Sequence, residues 1–153
     1  MTDTTELTET FADTLMGFTL PGRNARGRIV RMEGVLEQVL SAHDYPAPIT
    51  HLLGEALVLG TLMGGLLKGE SAQMTMQAQT QGGIVKLLVC DYRAGAVRGY
   101  ADFDGERLGK LGANPSLAAL FGEGYLAITF ETEGRQRYQG IVPLVGDTLA
   151  EAC

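Results

Sequence analysis

A chain of 153 residues and 16.3 kDa suits a single domain, one able to bury about two-thirds of the surface its unfolded form exposes. Hydrophobic residues make up 45% and charged residues 20%, which excludes a disordered chain, and 18 acidic against 12 basic side chains leave a net charge of −6 that gives no general reason to bind nucleic acid. The two cysteines, Cys90 and Cys153, form neither a disulfide framework nor a paired metal half-site and point to a reducing compartment.

Residues 1–22 are threonine-rich and carry acidic residues but no Lys or Arg, so no basic-then-apolar export signal opens the chain. This stretch reads as a loose N-terminal segment, with a short element suggested by Phe11, Leu15 and Phe18; the domain proper runs over 23–153. Ala25–Glu33 alternates and predicts a strand, with Gly34 allowing a turn. Val35–Ala42 carries one apolar helical stripe, and the prolines at 46 and 48 end that helix.

Ile49–Lys68 begins after Pro48 and is apolar around nearly its whole circumference, so it predicts a helix that needs cover on every side. Its most apolar run, Ala56–Leu67, is 12 residues, short of the ~20 that span a bilayer. Gln73–Thr80 alternates strictly, and Gly82-Gly83 turns the chain into Ile84–Asp91, a hairpin. Val97–Phe103, Tyr125–Glu131 and Arg135–Val142 complete about five antiparallel strands. Asn114-Pro115 predicts the cap and first residue of a short helix ending at Phe121. Thr148 and Glu151 form a capping-box pattern for a helix that stops within two turns, so the chain is expected to be the N-terminal part of a longer protein.

Motifs that carry chemistry are few. The glycine spacing of Gly60–Leu66 mimics a phosphate loop but has Leu66 where lysine belongs, and no G-x-S-x-G elbow occurs. His51 and Glu55 lie four apart and could face a metal with Cys90 or His43, but a helix-start histidine paired with a carboxylate explains them better. Asp102, Asp104 and Glu106 read as a polar hairpin tip rather than a calcium loop. Arg23, Arg26, Arg28 and Arg31 are a basic cluster without aromatic interleaving, poor support for nucleic-acid binding. Cys90 reads as a small core side chain, and Met32, Met63, Met74 and Met76 suit either a core or an adaptable binding surface.

Four segments together resemble a known family: ARGRIVRMEGVLEQVLSAHDYPAPITHLLGEAL (Ala25–Leu57), LLVCDYR (Leu87–Arg93), GYLAITF (Gly124–Phe130) and RYQGIVPLVGDTLAEAC (Arg137–Cys153). In order and spacing they are similar to the N-terminal domain of heat shock protein 33, the redox-regulated holdase chaperone of bacteria. The resemblance implies a cytoplasmic, ATP-independent chaperone that binds unfolding proteins under oxidative stress. It also implies an α+β fold in which antiparallel β layers pack around a buried central helix (β/α/β), with short peripheral helices.

In that family a C-terminal Cys-x-Cys and Cys-x-x-Cys set binds zinc when reduced, and oxidation releases the zinc, unfolds a linker, exposes client-binding surface and favours dimers. Cys90 and Cys153 match neither motif, so no zinc or redox role passes to them, and the domain is expected to be truncated before the linker and zinc domain. The combined reading is a holdase domain without its switch and not an enzyme. It has no catalytic, cofactor-binding or metal-binding residue of its own, and the zinc is implied only for the missing C-terminal domain. Expected partners are unfolded or partly folded client proteins, with no nucleic acid and no membrane; homodimerisation and the client-contacting residues stay open. The alternative is a small-ligand-binding or enzymatic domain with a cleft near His51 and Glu55.

Overall fold

Period-2 alternation becomes one antiparallel sheet. The computed structural model describes residues 13–153, and in it β3 (Gln73–Thr80), β4 (Val85–Arg93), β5 (Ala96–Phe103), β6 (Gly124–Glu131) and β7 (Tyr138–Pro143) are ordered β5-β4-β3-β6-β7. The β4–β5 hairpin turns on Ala94 and Gly95, with φ of 49° and 79°, the two left-handed residues that a tight two-residue hairpin needs. On β3 the side chains of Met74, Met76 and Ala78 point to the core and are fully buried. Across the sheet's other face Asp91 accepts hydrogen bonds from Thr75 Oγ1 and Arg98 Nε, both at 2.7 Å, which compensates its burial.

A separate two-stranded ribbon is made by β1 (Thr14–Leu20) and β2 (Ala25–Arg31). Leu15 and Phe18 thus belong to a strand, while Phe11 lies outside the described residues. Helix α1 (Gly34–Ser41) follows, and then the central helix α2 (Ala47–Gly64), which starts two residues earlier and stops four residues sooner than the sequence predicts. Pro48 sits in its first turn, and the chain leaves the helix at Gly64-Gly65.

Helix α2 buries Ile49, Leu52, Leu53, Ala56, Leu57, Gly60, Thr61 and Gly64. Close approach to the sheet depends on glycine: a Cβ on Gly60 would stand 2.7 Å from Cys90 Sγ and 3.2 Å from Met74 Cε. On the side away from the sheet, cover comes from the ribbon, α1 and a terminal helical turn, so Val58, Leu59, Leu62 and Met63 are half-buried. By length and composition α2 could cross a membrane, but 39% of that window is buried inside this fold. The architecture is α+β, with β layers about a central helix and short peripheral helices, as expected.

Three local expectations are corrected. Ser116, not Asn114, caps the short helix α4 (Leu117–Phe121), its Oγ accepting from the Ala119 amide at 3.1 Å. Asp104 is not in a hairpin tip: it caps a further helix, α3 (Gly105–Gly109), by accepting from the Arg107 amide at 3.1 Å. At α5 (Leu149–Ala152) Thr148 accepts from the Glu151 amide at 3.2 Å, but Glu151 reaches back to the Asp147 amide, at 2.6 Å, instead of that of Thr148.

Candidate functional site

The cleft that sequence anticipated near His51 and Glu55 exists. It measures about 210 Å³ and is walled by the first turns of α2, the Ala113–Pro115 loop and Asp147. Glu55, however, serves the fold, since its Oε1 accepts from the Ala150 amide at 3.0 Å and so satisfies one of the unpaired N–H groups at the start of α5. His43 is turned elsewhere, stacked on Tyr45 with ring centres 4.6 Å apart. Among the described residues no three His, Cys, Asp or Glu side chains converge as metal ligands.

The cysteines do not fit a zinc site. Cys90 is buried against Gly60, and desolvation, with Asp91 beside it, pushes its thiol up to about 12. Cys153 is exposed at the end of α5, and its pKa is also raised, by partial burial first and then by the Glu55 charge. Among the described residues no cation stands beside either thiol to lower its pKa and favour thiolate chemistry.

The arginine cluster is dispersed by its strand. Arg28 Nη1 donates to the Leu62 carbonyl at 3.1 Å, anchoring the ribbon on α2, and Arg31 pairs with Glu33. Met74 and Met76 are core residues, so they offer no binding surface, and Met32 and Met63 are half-buried.

Two groups of large apolar side chains are left exposed by the fold. Even-numbered residues of β1 and their cross-strand neighbours share one ribbon face: Met16 lies opposite Ile29, and Phe18 lies over Gly27. Met16, Phe18, Leu20 and Ile29 are 45%, 43%, 49% and 55% exposed, a continuous apolar patch turned away from α2. Sequence reading misses this patch because the polar, threonine-rich residues ahead of it make the whole segment look loose; the signal is the alternation of Met16, Phe18 and Leu20 with Gly17 and Thr19. A second exposed group, Tyr125, Tyr138, Ile141 and Val145, follows β7 and the adjoining end of β6.

Comparison with known proteins agrees with this architecture. The family model described as Hsp33 protein matches residues 13–153. A 33 kDa chaperonin of Caulobacter vibrioides is 37% identical over 155 aligned positions, covering 98% of this chain and 51% of the relative. One from Vibrio cholerae is 36% identical over 128 positions, covering 84% and 42% respectively. The crystal structure of the 33 kDa chaperonin of Thermotoga maritima superposes with a TM-score of 0.74 at 26% identity, covering 90% of this chain and 48% of that one. The chain therefore spans about half the length of the curated relatives it matches, and over that span it belongs to the Hsp33 protein family.

Proposed function

We propose that this chain is the holdase domain of an ATP-independent chaperone that retains unfolding proteins under oxidative stress in the cytoplasm. The observation that carries the reading is the ribbon face of Met16, Phe18, Leu20 and Ile29, which presents flexible and aromatic side chains on a ribbon held to the core by few contacts. Covering such a face with a client's apolar groups gains roughly 25 cal/mol per Å² and needs neither a nucleotide nor a reactive side chain. Family membership supports the reading, since the relatives are named chaperonins. The zinc and disulfide switch of the family would lie outside this chain, because Cys90 and Cys153 supply no such ligand set.

Light scattering during thermal aggregation of a test client, without ATP, checks the proposal. The chain is expected to suppress aggregation, and Phe18→Ser with Ile29→Ser to suppress it several-fold less at an unchanged unfolding midpoint. No suppression by the unaltered chain would overturn the holdase reading.

A further inference from the structure

The five-stranded sheet has two edges, and they are finished differently. In the β6–β7 ladder the Leu144 amide donates to the Gly124 carbonyl at 3.1 Å, and the register continues as Leu126 opposite Val142, Ile128 opposite Gly140 and Phe130 opposite Tyr138. Antiparallel pairing alternates between bonded and non-bonded pairs, so the backbone groups of residues 138, 140 and 142 face β6, and those of Gln139, Ile141 and Pro143 face outward. Pro143 costs nothing there because the N–H it lacks would point to solvent. Its carbonyl accepts from the Val145 amide at 3.0 Å. Gln139 and Ile141 keep four outward N–H and C=O groups that have no backbone partner among the described residues.

The opposite edge is capped by a side chain at one of its outward residues. On β5 the same alternation turns Ala101 outward, and the Tyr45 hydroxyl takes both of its groups, accepting from the amide at 3.0 Å and donating to the carbonyl at 3.2 Å. Tyr45 is held there by His43 stacked on its ring and Phe103 against its side. No comparable side chain caps β7 among the described residues, and its sequence, YQGIVP, contains no charge to deter pairing. Each face of this edge carries an open apolar side chain: Tyr138 is 65% exposed on the helix side and Ile141 is 61% exposed on the other.

We propose that the outer edge of β7 takes up an extended apolar segment of an unfolded polypeptide as an added antiparallel strand, hydrogen-bonded at Gln139 and Ile141. This rests on the holdase reading and names how such a partner is gripped. An unfolded chain arrives with unpaired backbone groups, and the ladder satisfies them without regard to sequence, while Tyr138 and Ile141 favour apolar side chains on either face. A second copy of this chain is the poorer occupant. An edge with two open residues offers far less than the ~1,200 Å² typical of a stable interface, and two copies each carrying a net charge of −6 repel.

Residue-resolved amide exchange of this chain, with and without a reduced, S-carboxymethylated serum albumin as a permanently unfolded client, tests the proposal. The amides of Gln139 and Ile141 are expected to slow by ~10-fold or more with client, while those of Gly140 and Val142, already bonded to β6, stay unchanged. Ile141→Pro removes one outward N–H and leaves the β6 ladder intact, so it should weaken client binding several-fold. Client binding without protection at Gln139 and Ile141 would overturn strand addition and leave the holdase reading standing. Failure to bind client at all would overturn both. Protection without client that grows with chain concentration would assign the edge to a second copy and overturn the proposal.

Discussion

Asp13 caps a helix from 21 residues upstream. Glu33 occupies the residue before α1 but makes no side-chain cap, and Asp13 Oδ1 accepts from the Glu33 amide at 2.7 Å and the Val35 amide at 3.2 Å in its place. Asp13 holds a left-handed φ of 52° to do so, a conformation that non-glycine residues adopt only when something fixes it. Those backbone bonds, to Glu33 first and Val35 next, stabilise the carboxylate and hold its pKa below the ordinary 3.8. A carboxyl whose folded pKa is depressed contributes stability above its unfolded value, and loses it as pH falls through the folded one. Asp13→Asn is therefore expected to lower the unfolding midpoint at about pH 6, with the difference from the parent shrinking as the pH falls through the depressed value of the folded carboxyl. Parallel thermal melts across that range check it, and a gap that widens on acidification would refute the cap. Sequence shows Asp13 only as one of several early acids, because nothing local marks a cap whose helix begins 21 residues later. Glu55 and the Ala150 amide, 95 residues apart, are hidden for the same reason.

Two glycines of α2 face different surroundings and give opposite expectations for one substitution. Gly54 has no atom nearer to an added Cβ than Leu40 Cδ1 at 4.0 Å, whereas Gly60 would press its Cβ on Cys90 and Met74, both fully buried. Replacing glycine by alanine inside a helix gains about 0.5–1 kcal/mol from the backbone, and overpacking a closed core costs about 1–3 kcal/mol. Gly54→Ala should stabilise the chain by up to about 1 kcal/mol, and Gly60→Ala should destabilise it by about 1–2 kcal/mol after that gain is offset. Urea unfolding of both variants measures the difference, and equal effects would deny the close helix–sheet contact. Element types are legible at this scale wherever periodicity is clean: Gln73–Thr80 alternates without a fault and is a strand over that same span. Ends are less legible, because Asn114 and Ser116 are both acceptable caps and only the fold decides which has the Ala119 amide within reach. Helix α3 escapes notice because five residues, GERLG, hold too few apolar positions to show a period.

At the scale of the molecule, the apolar circumference of α2 announces that a helix will be covered, and β layers do lie on both sides of it. The thickness of that cover is not legible, since the ribbon's strength depends on contacts distant in sequence. A two-stranded ribbon is marginal without support, and this one is tied down by Arg28 on the Leu62 carbonyl, by Leu15 lying over Gly65 and by Asp13 at α1. The five-stranded sheet has instead a buried layer reaching from Met74 to Leu126. Opening free energy follows such buried contact, so the ribbon should open locally long before the sheet does. Backbone amides bonded between β1 and β2 are expected to exchange ~10-fold or more faster than those between β3 and β4. Arg28→Met, which keeps the aliphatic stem and removes the guanidinium bond, should widen the gap further while leaving β3 and β4 unaffected. Uniform exchange across both β layers would mean that the ribbon is integral to the core. The apolar face of Met16, Phe18, Leu20 and Ile29 would then be a rigid platform, unable to adapt to unlike partners.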